Sequence, residues 1–360
     1  MIVRSLELKN FRNFTGLKAE PAPGVNLIYG ENAQGKTNIL EAVYVSSIGR
    51  SHRGAKERDM ITFGTDEGHI KCSISKKGVP HRIDVHLKKD RPKGVAVDGL
   101  PIRHTRQLLG TMHVVIFSPE DMRLIKEEPK RRRRFMDIEL CQLDPVYAEA
   151  LARYQKAVNQ KNILLKDIAY RPQLKSTLPV WQEQQAHYGS VIIKSRRAFM
   201  ERIDRSISRI HHDISGGREE VKVIYQANVP EDEILERIRA DEEREIRFQR
   251  SLCGPQLDDL AFEVDGRDVR TFGSQGQQRT AALSLKMAEI ELVRDTIHDE
   301  PVLLLDDVMS ELDHERQEHL LTNIRGLQTL ITCTGTEDIK KQKSDIEKIF
   351  HVRNGSIEEE

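Results

Sequence analysis

Cysteine is scarce and scattered: Cys72, Cys141, Cys253 and Cys333 lie far apart, with no C-x-x-C pair. That spacing argues against a zinc site or a disulfide framework and reads as four reduced thiols. Aromatic residues make up only 5% of the 360 residues, and 57 basic side chains are balanced by 57 acidic ones, so the formal net charge is zero. Wholesale basicity, which would advertise nucleic acid, is therefore lacking. A long apolar run is lacking too. The first residues, Met1-Ile2-Val3-Arg4-Ser5-Leu6-Glu7-Leu8-Lys9, alternate like a strand. Neither a secretory signal nor a membrane span is expected, and the chain is assigned to the cytoplasm. At this length it holds two ordinary domains, or one large domain with an insertion.

What is present is a phosphate loop. Gly30-Glu31-Asn32-Ala33-Gln34-Gly35-Lys36-Thr37 spells G-x-x-x-x-G-K-[ST] between an apolar strand, Val25 to Tyr29, and a helical pattern that carries Ile39, Leu40, Val43 and Tyr44; these eight residues and Asn38 are the expected nucleotide contacts. Glycines let backbone N–H groups wrap a polyphosphate. The new helix offers unpaired N–H donors and a positive dipole end, and Lys36 adds a mobile cation. Thr37 is the expected ligand of Mg²⁺, and ATP the expected nucleotide.

The chain reads as strand-rich up to about residue 117, with a turn at Asp98-Gly99; helices take over after Ser118, a plausible cap. From Leu143 to Ile168, and again from Trp181 to Ile210, apolar residues recur every three or four positions. This spacing predicts two long helices packed antiparallel as a hairpin or arm, or an ordinary helical core. Strand character returns at Val221 to Tyr225, then come a charged helical stretch from Glu231 to Arg250, a hairpin at Asp265-Gly266, a long helix from Gly276 to about Ile297, and strands at Val302 to Leu305 and Leu330 to Cys333. The expected fold is α/β: a head of mixed β-sheet and helices from residues 1–118 and 216–360, interrupted by an α-helical arm at residues 119–215.

Two further motifs carry chemistry. The apolar strand Pro301 to Leu305 ends in Asp306-Asp307. At such a strand end Asp306 serves the magnesium side of a phosphate-loop ATPase, while Asp307 orients and polarises the attacking water. Phe272-Gly273-Ser274-Gln275-Gly276-Gln277-Gln278-Arg279 opens the long helix before that strand. Read alone it is a capped helix with a polar first turn. Placed between the other two motifs, it resembles the serine-glycine-glutamine loop of ABC-type heads. That resemblance implies that Ser274, Gly276 and Gln277 meet the γ-phosphate of ATP held by a second copy, in an ATP-dependent homodimer.

Together with Leu8-Lys9-Asn10-Phe11-Arg12-Asn13-Phe14, Arg50-Ser51-His52-Arg53 and Ser310-Glu311-Leu312-Asp313, these segments resemble the RecF family of bacterial recombination mediators, related to SMC heads. The likeness covers nearly the whole chain. It implies an ABC-type P-loop ATPase head that binds ATP and DNA and supports RecA loading at single-strand gaps with RecR and RecO. It also places Arg12 and Asn13 near the nucleotide. Gln275 stands where transporters usually have Gly, Asp307 where they usually have Glu, and no histidine follows Cys333-Thr334. A shorter carboxylate and no switch histidine point to a slow, DNA-stimulated ATPase used as a timer.

A neutral chain can still hold DNA if its charge is uneven. Residues 119–215 carry 19 Lys or Arg against 13 Asp or Glu, about +6, which leaves the remainder near −6. Lys130-Arg131-Arg132-Arg133-Arg134 is the densest basic run, a candidate for duplex or gap-junction backbone and equally a solvated helix face. A transporter's nucleotide-binding subunit and a small-molecule kinase are the competing readings. Against the first stand Asn10 to Phe14, Gln275 and the basic run; against the second, the Ser274 loop and the Asp306-Asp307 pair have no job there.

Overall fold

The computed structural model describes residues 1–122, 124–335 and 346–360. The chain begins with alternation: β1 (Ile2–Phe11) and β2 (Phe14–Ala19) pair antiparallel, and Val3, Leu6, Leu8 and Phe11 of β1 point inward. After β3 (Val25–Tyr29) and α1 (Lys36–Ile48) come β4 (Glu67–Lys76), β5 (Val79–Lys88), β6 (Gly94–Val97) and β7 (Leu100–Pro101). They extend the first sheet in the order β2-β1-β4-β5-β6-β7, antiparallel throughout. Ile70, Cys72 and Ile74 of β4, with Ile83, Val85 and Leu87 of β5, bury one face, and the residues between them face outward with period two. Asp98 and Gly99 take positive φ at the β6–β7 turn, as the Asp-Gly pair predicts.

After β8 (Val114–Phe117) and the single turn α2 (Pro119–Met122), the chain leaves this unit at residue 123 and returns at residue 282. The excursion, residues 124–281, forms a second compact unit. In it, α3 (Pro129–Leu143) leads into α4 (Pro145–Ile168) and α5 (Leu178–Ile214). Tyr147 meets Arg196, Tyr154 meets Gly189 and Lys161 meets Gln185, so numbers rise on α4 as they fall on α5: the antiparallel hairpin that the spacing predicts. Its seam is polar where it is deepest. Arg196 donates to Asp258 (2.7 Å) and Asp137 (2.8 Å), and Lys161 pairs with Glu245 at 2.6 Å with both side chains fully buried.

The stretch after residue 216, assigned on sequence to the head, packs with these helices. β9 (Val221–Gln226) is bound to α5: Asp204 accepts from the Val223 amide at 2.8 Å, and Ser208 donates to the Val221 carbonyl at 3.0 Å. Short helices α6 (Ile234–Ala240) and α7 (Glu242–Phe248) follow, then β10 (Asp259–Val264) and β11 (Arg267–Asp268), which join β9 in a three-stranded antiparallel sheet. α8 (Val269–Phe272) precedes α9 (Gln275–Ile297), whose last two-thirds belong to the first unit.

There β12 (Val302–Asp306), α10 (His314–Asn323), β13 (Thr329–Cys333), β14 (Ile346–Arg353) and β15 (Ser356–Glu359) complete a second six-stranded sheet, β15-β14-β3-β13-β12-β8. All its pairings are parallel except β14–β15 at the edge. Every residue of β12 and β13 is buried, which is why both read as unbroken rather than alternating strands. α1 touches strands of both sheets, β4 and β5 on one side and β13, β12 and β8 on the other. It is therefore buried nearly all round, with Glu41, Ser46 and Ser47 among its buried residues. Truncating a wholly buried leucine such as Leu304 would cost about 3 kcal/mol.

Candidate nucleotide-binding site

The loop between β3 and α1 is held in a shape that few sequences adopt. Gly30 (φ +155°), Ala33 (φ +65°) and Gly35 (φ +113°) turn it, and a Cβ on Gly30 would lie 2.3 Å from the Val352 carbonyl oxygen. Asn13 donates to the Gln34 carbonyl (2.7 Å) and accepts from Asn38 (2.8 Å), and the Gln34 side chain accepts from the Asn354 amide (2.6 Å). The loop is thus tied down by the β1–β2 turn on one side and the β14–β15 turn on the other. Lys36 is only 4% exposed and donates to the carbonyls of Gly30 (2.7 Å) and Glu31 (2.9 Å), so its charge sits inside the loop. α1 starts at Gly35 with no side-chain cap, which leaves its first amides and dipole facing the loop. Glu31, Asn32 and Ala33 are exposed at its rim.

Two strands over, β12 delivers the acids. Thr37 donates to Asp306 Oδ1 at 2.8 Å, and Thr332 of the intervening β13 donates to the same oxygen at 2.9 Å. The Thr332 hydroxyl also accepts from the Asp307 amide at 2.9 Å. Asp307 has φ +52°, a left-handed step just past the end of β12. Burial pushes the Asp307 carboxyl up, Lys36 pulls it down, and the neighbouring Asp306 charge pushes it up again; the balance is upward. Thr37 and Asp306 supply hard oxygen donors at one point, the set that Mg²⁺ prefers.

Three neighbours carry no sequence motif for this role. Glu41 of α1, fully buried, accepts two hydrogen bonds from Arg12 (both 2.7 Å) and one from Ser51. Burial raises its pKa, but the Arg12 and Ser51 hydrogen bonds outweigh it and hold the carboxyl below its ordinary value. His52 lies with Nε2 3.9 Å from Asp306 Oδ2 and edge-on to Tyr44, and burial lowers its pKa despite the carboxylates nearby. Thr332, described above, reads in sequence as an ordinary strand residue. Arg12, which the resemblance placed near the nucleotide, does lie beside the loop's supports, yet its guanidinium is committed to Glu41 and to the Asp59 carbonyl.

The other predicted residues belong to the second unit. Ser274, Gln275 and Gly276 are exposed at the start of α9; Ser274 accepts from the Gln277 amide (3.2 Å), and Gln277 accepts from the Ser274 amide (2.9 Å). The basic run lies on α3 and is not uniform, which corrects its reading as five cations facing DNA. Arg132 is 1% exposed and is spent on Asp259 (2.6 and 3.0 Å) and on the carbonyls of Leu124 and Glu127. Arg133 is half-buried and donates to the Asp258 carbonyl at 2.7 Å. Lys130, Arg131 and Arg134 are exposed.

A phosphate loop between a parallel strand and a buried helix, with paired carboxylates on the same parallel sheet, defines an ABC-type ATPase head. The model of the RecF/RecN/SMC N terminal domain matches residues 2–358. The DNA replication and repair protein RecF of Lachnospira eligens is 51% identical over 99% of both chains, and that of Lachnoclostridium phytofermentans 49% identical over 99% of both. Among solved structures, the recombination mediator RecF with ATP, from the RecFOR pathway, superposes with TM-score 0.92 at 34% identity, covering 99% of this chain and 97% of that one. An Smc head bound to the winged-helix domain of ScpA shares the fold alone, with TM-score 0.60 at 15% identity. The chain belongs to the RecF family of DNA replication and repair proteins. No transporter is among these relatives, and that alternative is not favoured. Among the described residues no helix is long and apolar enough to cross a membrane.

Proposed function

We propose that this protein is an ATP-gated DNA clamp of recombinational repair, acting in the cytoplasm. The single observation that carries the reading is the 2.8 Å bond from Thr37 to Asp306, which joins phosphate loop and acidic strand into one site beside Asp307. The amides of residues 30–37 and the Lys36 ammonium bind the β- and γ-phosphates of ATP. Thr37 and Asp306 hold Mg²⁺, which when bound neutralises charge on the phosphate oxygens. Asp307 orients a water and polarises it for in-line attack on the γ-phosphorus; the P–O bond to ADP breaks as the new one forms. Asn13 and Asn38 keep the loop in register from outside, and Arg12 keeps Glu41 ionised behind it.

The exposed Ser274 and Gly276 and the half-buried Gln277 of a second copy close over the γ-phosphate, so that ATP joins two chains and hydrolysis releases them. Asp307, one methylene shorter than glutamate, makes that release slow. The exposed Lys130, Arg131 and Arg134 contact duplex backbone next to a gap, where the clamp supports RecA loading with RecR and RecO, and DNA stimulates hydrolysis. Sedimentation velocity with ATP, Mg²⁺ and duplex DNA at several salt concentrations tests the whole reading. A dimer that forms only with ATP is expected, and a chain that stays monomeric with ATP even as Asp307→Asn would overturn it.

A further inference from the structure

The outward face of the first sheet carries a cross-strand histidine pair that the nucleotide chemistry does not use. β4 and β5 place His69 opposite His86, with Glu67 two residues along and opposite Lys88. The imidazoles stack with centroids 3.9 Å apart and planes 23° from parallel, and His86 Nε2 lies 2.9 Å from Glu67 Oε2. One ligand atom from each of Glu67, His69 and His86 falls within 4.8 Å of the other two. Beyond His86 the sheet row continues with Gly94 of β6, which adds no side chain and leaves that flank open.

We propose that Glu67, His69 and His86 form a site for a borderline divalent transition-metal ion of the Zn²⁺ type, clipping β4 to β5 and leaving one coordination position to water. The search for zinc among the cysteines fails on spacing; this donor set contains none. Two imidazole nitrogens and one carboxylate oxygen match zinc and its neighbours, whereas Mg²⁺ and Ca²⁺ favour oxygen alone. All three ligands stand on paired strands, so their backbone positions are fixed before an ion arrives.

Burial and then the adjacent His86 hold the His69 imidazole below its ordinary value, with Lys9 and Lys88 acting in the same direction against Glu67. Hydrogen bonds from His86 and Lys88 keep the Glu67 carboxyl below its ordinary value and hence charged. Lys88, 3.2 Å from Glu67 and half-buried, is the group that an ion displaces, its four-carbon stem letting the ammonium swing away.

The test is calorimetric titration of the chelator-treated full chain with Zn²⁺, alongside His69→Ala, His86→Ala and Asp306→Asn. The expected result is one equivalent bound by wild type and by Asp306→Asn, weakened at least about tenfold in either histidine variant. Zn²⁺ should also raise the melting temperature of wild type but not of His86→Ala. Both histidines are at the surface of the sheet, and circular dichroism without metal confirms that the variants fold. Absence of binding up to about 1 mM Zn²⁺, which is no more than a chance surface affinity, overturns the proposal. So does Zn²⁺ binding that survives both histidine substitutions, including binding lost only on thiol alkylation.

Discussion

Two helices of this chain begin at loops that read as phosphate sites, and the two beginnings are built differently. α1 starts at left-handed Gly35 with no side-chain cap, so its leading amides find no side-chain partner in the cap residue. α9 starts behind Ser274, which exchanges reciprocal hydrogen bonds with Gln277 in a capping box. The same contrast holds for cations: Lys36 points its charge into the loop from two carbonyls, whereas Arg132 is already paired with Asp259. The first unit holds its cation on loop carbonyls and its helix start without a side-chain cap. The second pairs Arg132 with Asp259 and caps its helix start. In the Ser274 cap the hydroxyl oxygen accepts from the Gln277 amide while its O–H stays free to donate, so the cap orients that hydroxyl without using up its donor.

The contrast can be broken at several points. Asp307→Asn should lower the ATPase rate about a thousandfold while nucleotide affinity stays near wild type, measured by phosphate release and by titration of a fluorescent nucleotide. A variant that hydrolyses normally would remove Asp307 from the reaction. Lys36→Met should weaken ATP binding by about 3 kcal/mol, roughly a hundredfold, because two charge-assisted contacts are lost. Arg132→Ala should cost about 3 kcal/mol in denaturant unfolding by stranding Asp259, whereas Arg131→Ala should cost less than about 0.5 kcal/mol. If the two arginines proved equal, the distinction between the buried Arg132 pair and the exposed Arg131–Glu127 pair on α3 would fall. Ser274→Ala should cost about 1 kcal/mol of stability and leave ATP affinity of the single chain unchanged, yet abolish the ATP-dependent dimer in sedimentation. The smallest effect is electrostatic: replacing Lys130, Arg131 and Arg134 together by Ala should lower the salt slope of duplex binding by about two to three.

Much of this site was legible because its chemistry is local. The phosphate loop is eight consecutive residues, and β12 announces itself by four apolar residues before two acids. Its supports were not legible. Glu41 reaches Arg12 and Ser51 through the fold rather than along the chain, and as one acid in an apolar helix it gives no periodic signal. Thr332 looks like any β-branched strand residue. Arg132 sits among four other basic residues, and only the helix's rotation separates it from Arg131. The grouping of residues 216–281 with the helices was missed because β9 takes hydrogen bonds from α5 side chains, a tertiary contact. The β14–β15 hairpin could have been found: the alternation Phe350-His351-Val352-Arg353 runs into Asn354-Gly355, a hairpin turn pair, and both residues take positive φ.

That hairpin gives the carboxyl-terminal strands a role at the phosphate loop. Val352 packs its carbonyl where Gly30 has no Cβ, and the Asn354 amide holds Gln34. A premature stop or a protease nick ahead of Ile346 would spare every side chain expected to touch ATP and would still unmake the cradle, by taking away its back wall.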